Sequence, residues 1–175
     1  MFRFLGVERL APLFVPRETA LVVVRQFVTE ARQDSAKFVE AEHMLLTLAT
    51  NKESDACRVL NESGLTYARL MAAMHEERRR TLAFAGVEPL DERQTAVTEL
   101  DRPLTLGTSA KVAIKRALIA ARDGRHRRPC IKSTELLLGI LQAELGTVPR
   151  TLAIAGVDRG VLIIKTRNSM SEPRC

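Results

Sequence analysis

Aromatic residues make up only 4% of this 175-residue chain, with no tryptophan and a single tyrosine. Strand sandwiches and barrels draw on aromatic and β-branched side chains. Here the apolar share of 46% comes mainly from Leu, Ala and Val, a mixture that favours packed helices and is large enough for a sizeable core. Cysteine is also scarce: Cys57, Cys130 and Cys175 are odd in number and irregularly spaced. That argues against a disulfide framework and for a reducing compartment, with Cys57 and Cys130 as packing residues. Long hydrophobic runs are missing. The opening Met1-Phe2-Arg3-Phe4-Leu5-Gly6-Val7 is cut off by Glu8-Arg9, too soon for a signal-peptide core or a membrane span. A cytoplasmic protein with no membrane partner is expected.

The chemistry of catalysis is thin as well. No Gly-x-x-x-x-Gly-Lys-Ser/Thr loop occurs to cradle phosphates, so ATP hydrolysis of the usual kind is excluded and no cofactor is expected. His43, His75 and His126 lie far apart with no Cys or acidic residue at ligand spacing, so no metal site is expected. No Ser/His/Asp or Cys/His pairing has the spacing of a nucleophilic centre. The chain is expected not to be an enzyme.

What the chain does contain is a duplication. Moving the segment from Val39 to Leu48 onward by 92 positions lands on Ile131 to Ile140, and the match continues without a gap: Arg58 falls on Arg150, Leu60 on Leu152, Gly64 on Gly156 and Leu70 on Leu162. Upstream the offset is 90, with Ala20, Val24, Phe27 and Ala31 falling on Ala110, Ile114, Ala117 and Ala121. The two extra residues sit near Gly124 to Pro129, in a loop, where insertions are tolerated. Two copies are too few for an open solenoid, which favours a closed pair.

Periodicity then divides each copy. In the first, apolar residues at three- and four-residue steps predict a helix over 18–32, and this period outweighs the strand-like run Val22-Val23-Val24. A short helix follows over 42–50. A third, capped at Ser54-Asp55, stops at Gly64, and a fourth, capped by Thr66, runs to about Arg80. The second copy repeats the plan with Thr108 or Ser109 as cap, a helix to Arg122, a short helix over 134–143, a third over 149–155 and a fourth capped by Asp158 and weakened by Gly160. The expected architecture is all-α, a pseudo-twofold pair of four-helix repeats with about eight helices. Its boundaries are a leader over 1–15, repeats over 16–83 and 108–165, a linker over 84–107 and a flexible tail over 166–175.

The formal net charge of +6 makes acidic partners a class to consider. Two clusters carry it, Arg78-Arg79-Arg80 and Arg125-His126-Arg127-Arg128. Neither is interleaved with aromatics that stack on bases. Solvated charge and a nucleic-acid surface with a steep salt dependence both stay open.

Ala41-Glu42-His43-Met44-Leu45-Leu46-Thr47-Leu48, Arg58-Val59-Leu60-Asn61-Glu62-Ser63-Gly64-Leu65 and Ser133-Thr134-Glu135-Leu136-Leu137-Leu138-Gly139-Ile140 together resemble the N-terminal repeat domain of Clp-type AAA+ unfoldases, especially the ClpC and ClpA group. The resemblance covers about residues 16–82 and 105–165, and with no ATPase motif present the expectation is a free-standing domain. It implies a recognition module that binds Clp unfoldase or protease components, their adaptors or tagged substrates, and so modulates proteolysis. In ClpC-like relatives each repeat holds a phosphorylated arginine, which puts Glu42, His43, Ser133, Thr134 and Glu135 forward as binding residues. The start of the second helix offers N–H groups that suit a phosphate, and a carboxylate there pairs with a guanidinium. Glu42 holds the family's glutamate position, with Ala41 in place of the preceding hydroxyl. In the second copy Ser133 keeps the hydroxyl, Thr134 replaces the glutamate and Glu135 takes the histidine position, about 100° round the helix. Alternatives are a basic nucleic-acid-binding or regulatory protein, or a small-ligand or antibiotic-sequestering decoy.

Overall fold

The computed structural model describes residues 17–87, 104–123 and 131–171. Eight helices occur among them. The first copy supplies α1 (Arg17–Gln33), α2 (Ala41–Thr50), α3 (Asp55–Glu62) and α4 (Tyr67–Phe84), and the second supplies α5 (Thr108–Asp123), α6 (Ser133–Leu141), α7 (Thr147–Ile154) and α8 (Arg159–Ser171). Two two-residue strands, β1 (Phe38–Val39) and β2 (Thr105–Leu106), pair in parallel with Phe38 opposite Thr105 and Val39 opposite Leu106. Val22-Val23-Val24 is helical, as the longer period requires. None of these helices is long and apolar enough to cross a membrane.

Local chemistry sets most of the ends. Ser54 accepts a hydrogen bond from the Cys57 N–H at 3.1 Å and Thr66 accepts one from Arg69 at 3.3 Å. Asp158 accepts from Val161 at 2.8 Å, starting α8 before Gly160 has any say. Gly64 and Gly156 close α3 and α7 with φ of +72° and +70°, a conformation glycine takes without a Cβ penalty. Pro149 lies in the first turn of α7, where its missing N–H costs nothing.

Several boundaries differ from the sequence reading. α4 continues past Arg80 to Phe84, with Thr81 donating to Glu77 at 2.9 Å, so the arginine triplet lies before the helix end. α8 runs to Ser171 because Leu162 and Thr166, four apart on one face, are both buried. The tail expected from 166 is helical for its first six residues (171 − 166 + 1 = 6). Thr108 and Ser109 lie inside α5 and do not precede it. Finally, the linker expected over 84–107 ends in β2 and carries a buried Leu104. The leader over 1–15 and residues 172–175 lie outside the described residues.

The copies pack reciprocally. α3 lies against α8 and α4 against α7, while α2 meets its counterpart α6. Each third helix thus packs on the other copy's fourth, as a pseudo-twofold axis demands. One apolar core runs through both, from Phe27, Met44 and Leu60 to Leu137, Ile140 and Leu152. Cations finish the seam: Arg69 on α4 donates to Gly64 O (3.1 Å) and Ala155 O (2.6 Å), and Lys165 on α8 donates to Ser63 Oγ at 3.2 Å. Positive groups at helix C-termini offset the exposed carbonyl dipoles there.

Candidate functional site

The starts of α2 and α6 are built alike from unlike residues. Three positions into α2, His43 Nδ1 accepts the Glu40 N–H at 2.9 Å, and three positions into α6, a Glu135 carboxylate oxygen accepts the Lys132 N–H at 2.5 Å. Both side chains reach back to the residue before the helix, the second half of a capping box. Both are buried, His43 to 2% and Glu135 to 6% exposure. With Nδ1 accepting, the neutral tautomer of His43 carries its proton on Nε2, 3.3 Å from Asp34 Oδ2. Asp34 in turn accepts both guanidinium nitrogens of Arg78, at 2.7 and 2.6 Å. Burial opposes ionisation of Asp34, but the hydrogen bonds from His43 and Arg78 outweigh it and hold its carboxyl below the ordinary value.

The first N–H of α2 and the one before it are taken. Besides the Glu40 N–H on His43, the Ala41 N–H donates to Ser109 Oγ at 2.8 Å, and that hydroxyl donates onward to Glu40 Oε2 at 2.5 Å. Glu40 Oε2 also accepts the Ser109 N–H at 3.0 Å, which caps α5 from the other copy. The hydroxyl that Ala41 lacks is thus supplied across the seam. The expectation of free N–H groups suited to a phosphate at the start of α2 is corrected at the first of them: the Ala41 N–H is held by Ser109 of the other copy, and the Glu40 N–H just before it is held by His43.

Of the five proposed binding residues, Thr134 is buried at 3% exposure together with His43 and Glu135, which gives those three structural settings. Ser133 is half-buried, its Oγ 3.4 Å from the Ala56 N at the start of α3. Glu42 is half-buried and lines a cleft, and among the described residues no ion pair or hydrogen bond to another side chain engages it. Burial raises the Glu42 carboxyl above its ordinary value, and nearby Glu40 and Asp34 add to this, while its own N–H and His43 offset part of it.

An acid whose folded pKa is raised stabilises the fold when protonated, and that contribution is lost as pH rises through the folded pKa. Glu42 ionised at neutral pH therefore weakens the fold. Glu42→Gln is expected to melt higher than the parent at pH 7, with the gap closing once the pH drops below the ordinary glutamate value of 4.5. Thermal melts across that range check it, and a Gln variant less stable at pH 7 would contradict the assigned shift.

Two clefts meet at Glu42. One, about 280 Å³, lies between α2, α4 and α7, with Met71 and Met74 in its wall. The other, about 830 Å³, is bounded by the starts of α2 and α5 and the turn from α6 to α7, within the size range of small-ligand sites. The arginine triplet does not present three free cations. Arg78 is held by Asp34, while Arg79 and Arg80 both donate to Glu76, whose carboxyl is drawn down to about 2 chiefly by the hydrogen bond from Arg79. Arg125, Arg127 and Arg128 lie outside the described residues.

A family profile described as the Clp repeat (R) N-terminal domain matches residues 18–153. The chain belongs to the Clp repeat N-terminal domain family. The duplicated helical quartet and the paired starts of α2 and α6 are this domain's architecture as it appears here. Among solved structures the chain is similar to the N-terminal domain of the caseinolytic protease associated chaperone ClpD from Arabidopsis thaliana. That similarity has a TM-score of 0.65 and 16% identity over 92% of this chain and 96% of the other, a likeness of fold. A search of curated proteins finds no match.

Sequence spacing missed several residues of this Clp domain's seam. Glu40 and Ser109 are 69 apart, and Glu77 and Arg150 are 73 apart, with Arg150 Nε 2.6 Å from Glu77 Oε1. No motif joins residues so distant. The only available signal was the duplication itself, which says that the two α2-type helices must approach.

Proposed function

We propose that this chain is a non-catalytic protein-recognition module of the Clp type, in which Glu42 receives the guanidinium of an arginine side chain, bare or phosphorylated, from a substrate or adaptor, and that such binding modulates Clp-dependent proteolysis. The observation that carries the reading is the state of Glu42. A half-buried carboxylate that has no ion-pair partner among the described residues costs stability, and an incoming guanidinium pairs with such a group in fork geometry. The second copy has no equivalent, because buried Thr134 stands at that position and Glu135 is spent on the Lys132 N–H. The domain is therefore functionally one-sided.

Calorimetry with arginine and phosphoarginine peptides tests this. The parent chain is expected to bind, Glu42→Ala to weaken binding by on the order of tenfold or more, the worth of one charge-assisted contact, and Thr134→Ala to change it little. Equal losses in the two variants, or no binding by the parent, would remove the proposal.

A further inference from the structure

The larger cleft is the middle of three. It shares Glu42 and Thr147 with the cleft beside α4, and it shares Arg116 and Gln142 with a third depression, about 270 Å³, among α5, α6 and α8. The depressions therefore share walls, with Glu42 common to the first two and Arg116 to the last two, so that both charges line the larger cleft. Arg116, like Glu42, is half-buried and has no hydrogen-bond or ion-pair partner among the described residues. Between and beyond these charges stand exposed apolar side chains: Val112 and Leu145 along the middle cleft and Ile119 in the third.

A charge partly withdrawn from water and left unpaired keeps the desolvation cost without the compensating attraction. One trough holding one such group of each sign is complementary to a bipolar ligand. A nucleic acid or an anionic lipid surface would satisfy Arg116 and be repelled by Glu42, and a uniformly basic peptide would do the reverse. Apolar groups lining the path favour a polypeptide over a small ion, since a peptide in extended form sets side chains along a line at about 3.3 Å per residue. We infer that the trough takes an extended polypeptide segment with an arginine at Glu42 and an anionic group at Arg116, making Arg116 a specificity-determining contact. The inference rests on the Glu42 reading above and adds a second contact and a direction to it. Two sources supply the anion with the same chemistry: a phosphate carried on the guanidine itself, or the carboxylate of a flanking acidic residue.

Three peptides on one apolar frame separate these, titrated calorimetrically into the full chain: one with arginine alone, one with arginine and a nearby glutamate, and one with phosphoarginine. The parent is expected to bind at least one anion-bearing peptide on the order of tenfold more tightly than the arginine-only peptide. In Arg116→Ala that advantage should vanish while arginine-only affinity stays as in the parent, and Arg116→Lys should restore part of it. Whichever anion-bearing peptide shows the Arg116 dependence identifies the source. Equal affinity for all three peptides, or an equal loss for all three in Arg116→Ala, overturns the inference. If Glu42-dependent binding persists in that event, the reading of Glu42 survives without this extension. A parent chain that binds none of the peptides ends both.

Discussion

Gly139→Val is expected to destabilise the fold by about 3 kcal/mol, the upper part of the usual range for overpacking a core, and to lower the melting temperature by roughly 6–12 °C for a chain of this size. Gly139 lies in α6 against α5, the most extensive helix pairing among the described residues. A Cβ at this position would come 2.3 Å from Ala113 O and 2.8 Å from Ala117 N. Those atoms are backbone in the middle of α5, so no side chain can turn aside and the helices must move apart. The smallest test is the sharpest. On an exposed helix face Gly→Ala stabilises by about 1 kcal/mol, whereas here Gly139→Ala is expected to lower the melting temperature. Melts followed by circular dichroism decide it: an alanine variant as stable as the parent would mean that the helices are not in the contact described. The first copy carries Thr47 at the matching place, buried and donating to His43 O at 3.0 Å, so the close approach belongs to the second copy alone.

Arg150→Ala should cost roughly 2–3 kcal/mol, and the reason lies in its partner. Glu77 is 5% exposed and receives Arg150 Nε at 2.6 Å and the Thr81 hydroxyl at 2.9 Å. Removing the guanidinium leaves a buried carboxylate with one neutral donor, and stranding a buried charge costs about 3–5 kcal/mol when the pair is fully enclosed. The Arg150 side chain is 56% exposed, so water reaches the site and the expected figure is lower. Glu77→Met serves as the control. It removes the charge that needs a partner, sits beside Met74 in the same cleft wall, and should be near neutral, as replacing a buried pair by apolar groups often is. Denaturant unfolding of both variants provides the comparison. If Glu77→Met is as damaging as Arg150→Ala, then the pair stabilises the seam directly, and the stranded-charge account fails.

Both variants act where linear spacing says little. Gly139 appears in the repeat only as an ordinary helix position, and nothing marks it as the place where α5 comes nearest. Arg150 is legible as the counterpart of Arg58, yet Arg58 faces Asp55 at 3.4 Å within its own helix while Arg150 reaches across to α4. The copies share a backbone plan and diverge in what their side chains meet. The binding residues show the same limit. Glu42, His43, Thr134 and Glu135 stand together in the sequence pattern, but burial separates them: Glu42 stays at a cleft while the other three are drawn inward. The 100° step along a helix predicts that Glu135 points elsewhere, and its work as a cap for the Lys132 N–H is the outcome. The arginine triplet read as bare positive charge because Asp34, 44 residues upstream of Arg78 and just past the end of α1, is brought beside it only by the tertiary fold.

What this chain's sequence determined alone is whatever depends on near neighbours and on repetition: helix periods, the caps at Ser54, Thr66 and Asp158, the glycine stops at 64 and 156, the doubling of the unit and the family it belongs to. These follow from interactions within a turn or two of helix, or from a pattern copied intact. Tertiary structure alone decided which polar groups stay free. Ser109 fills the Ala41 N–H, Glu40 caps a helix in the other copy, and Glu42 and Arg116, which line one cleft, have no ion-pair partner among the described residues. A hydrogen bond is settled by distances of about 3 Å, and distances between residues seventy positions apart exist only once the two copies have closed on each other.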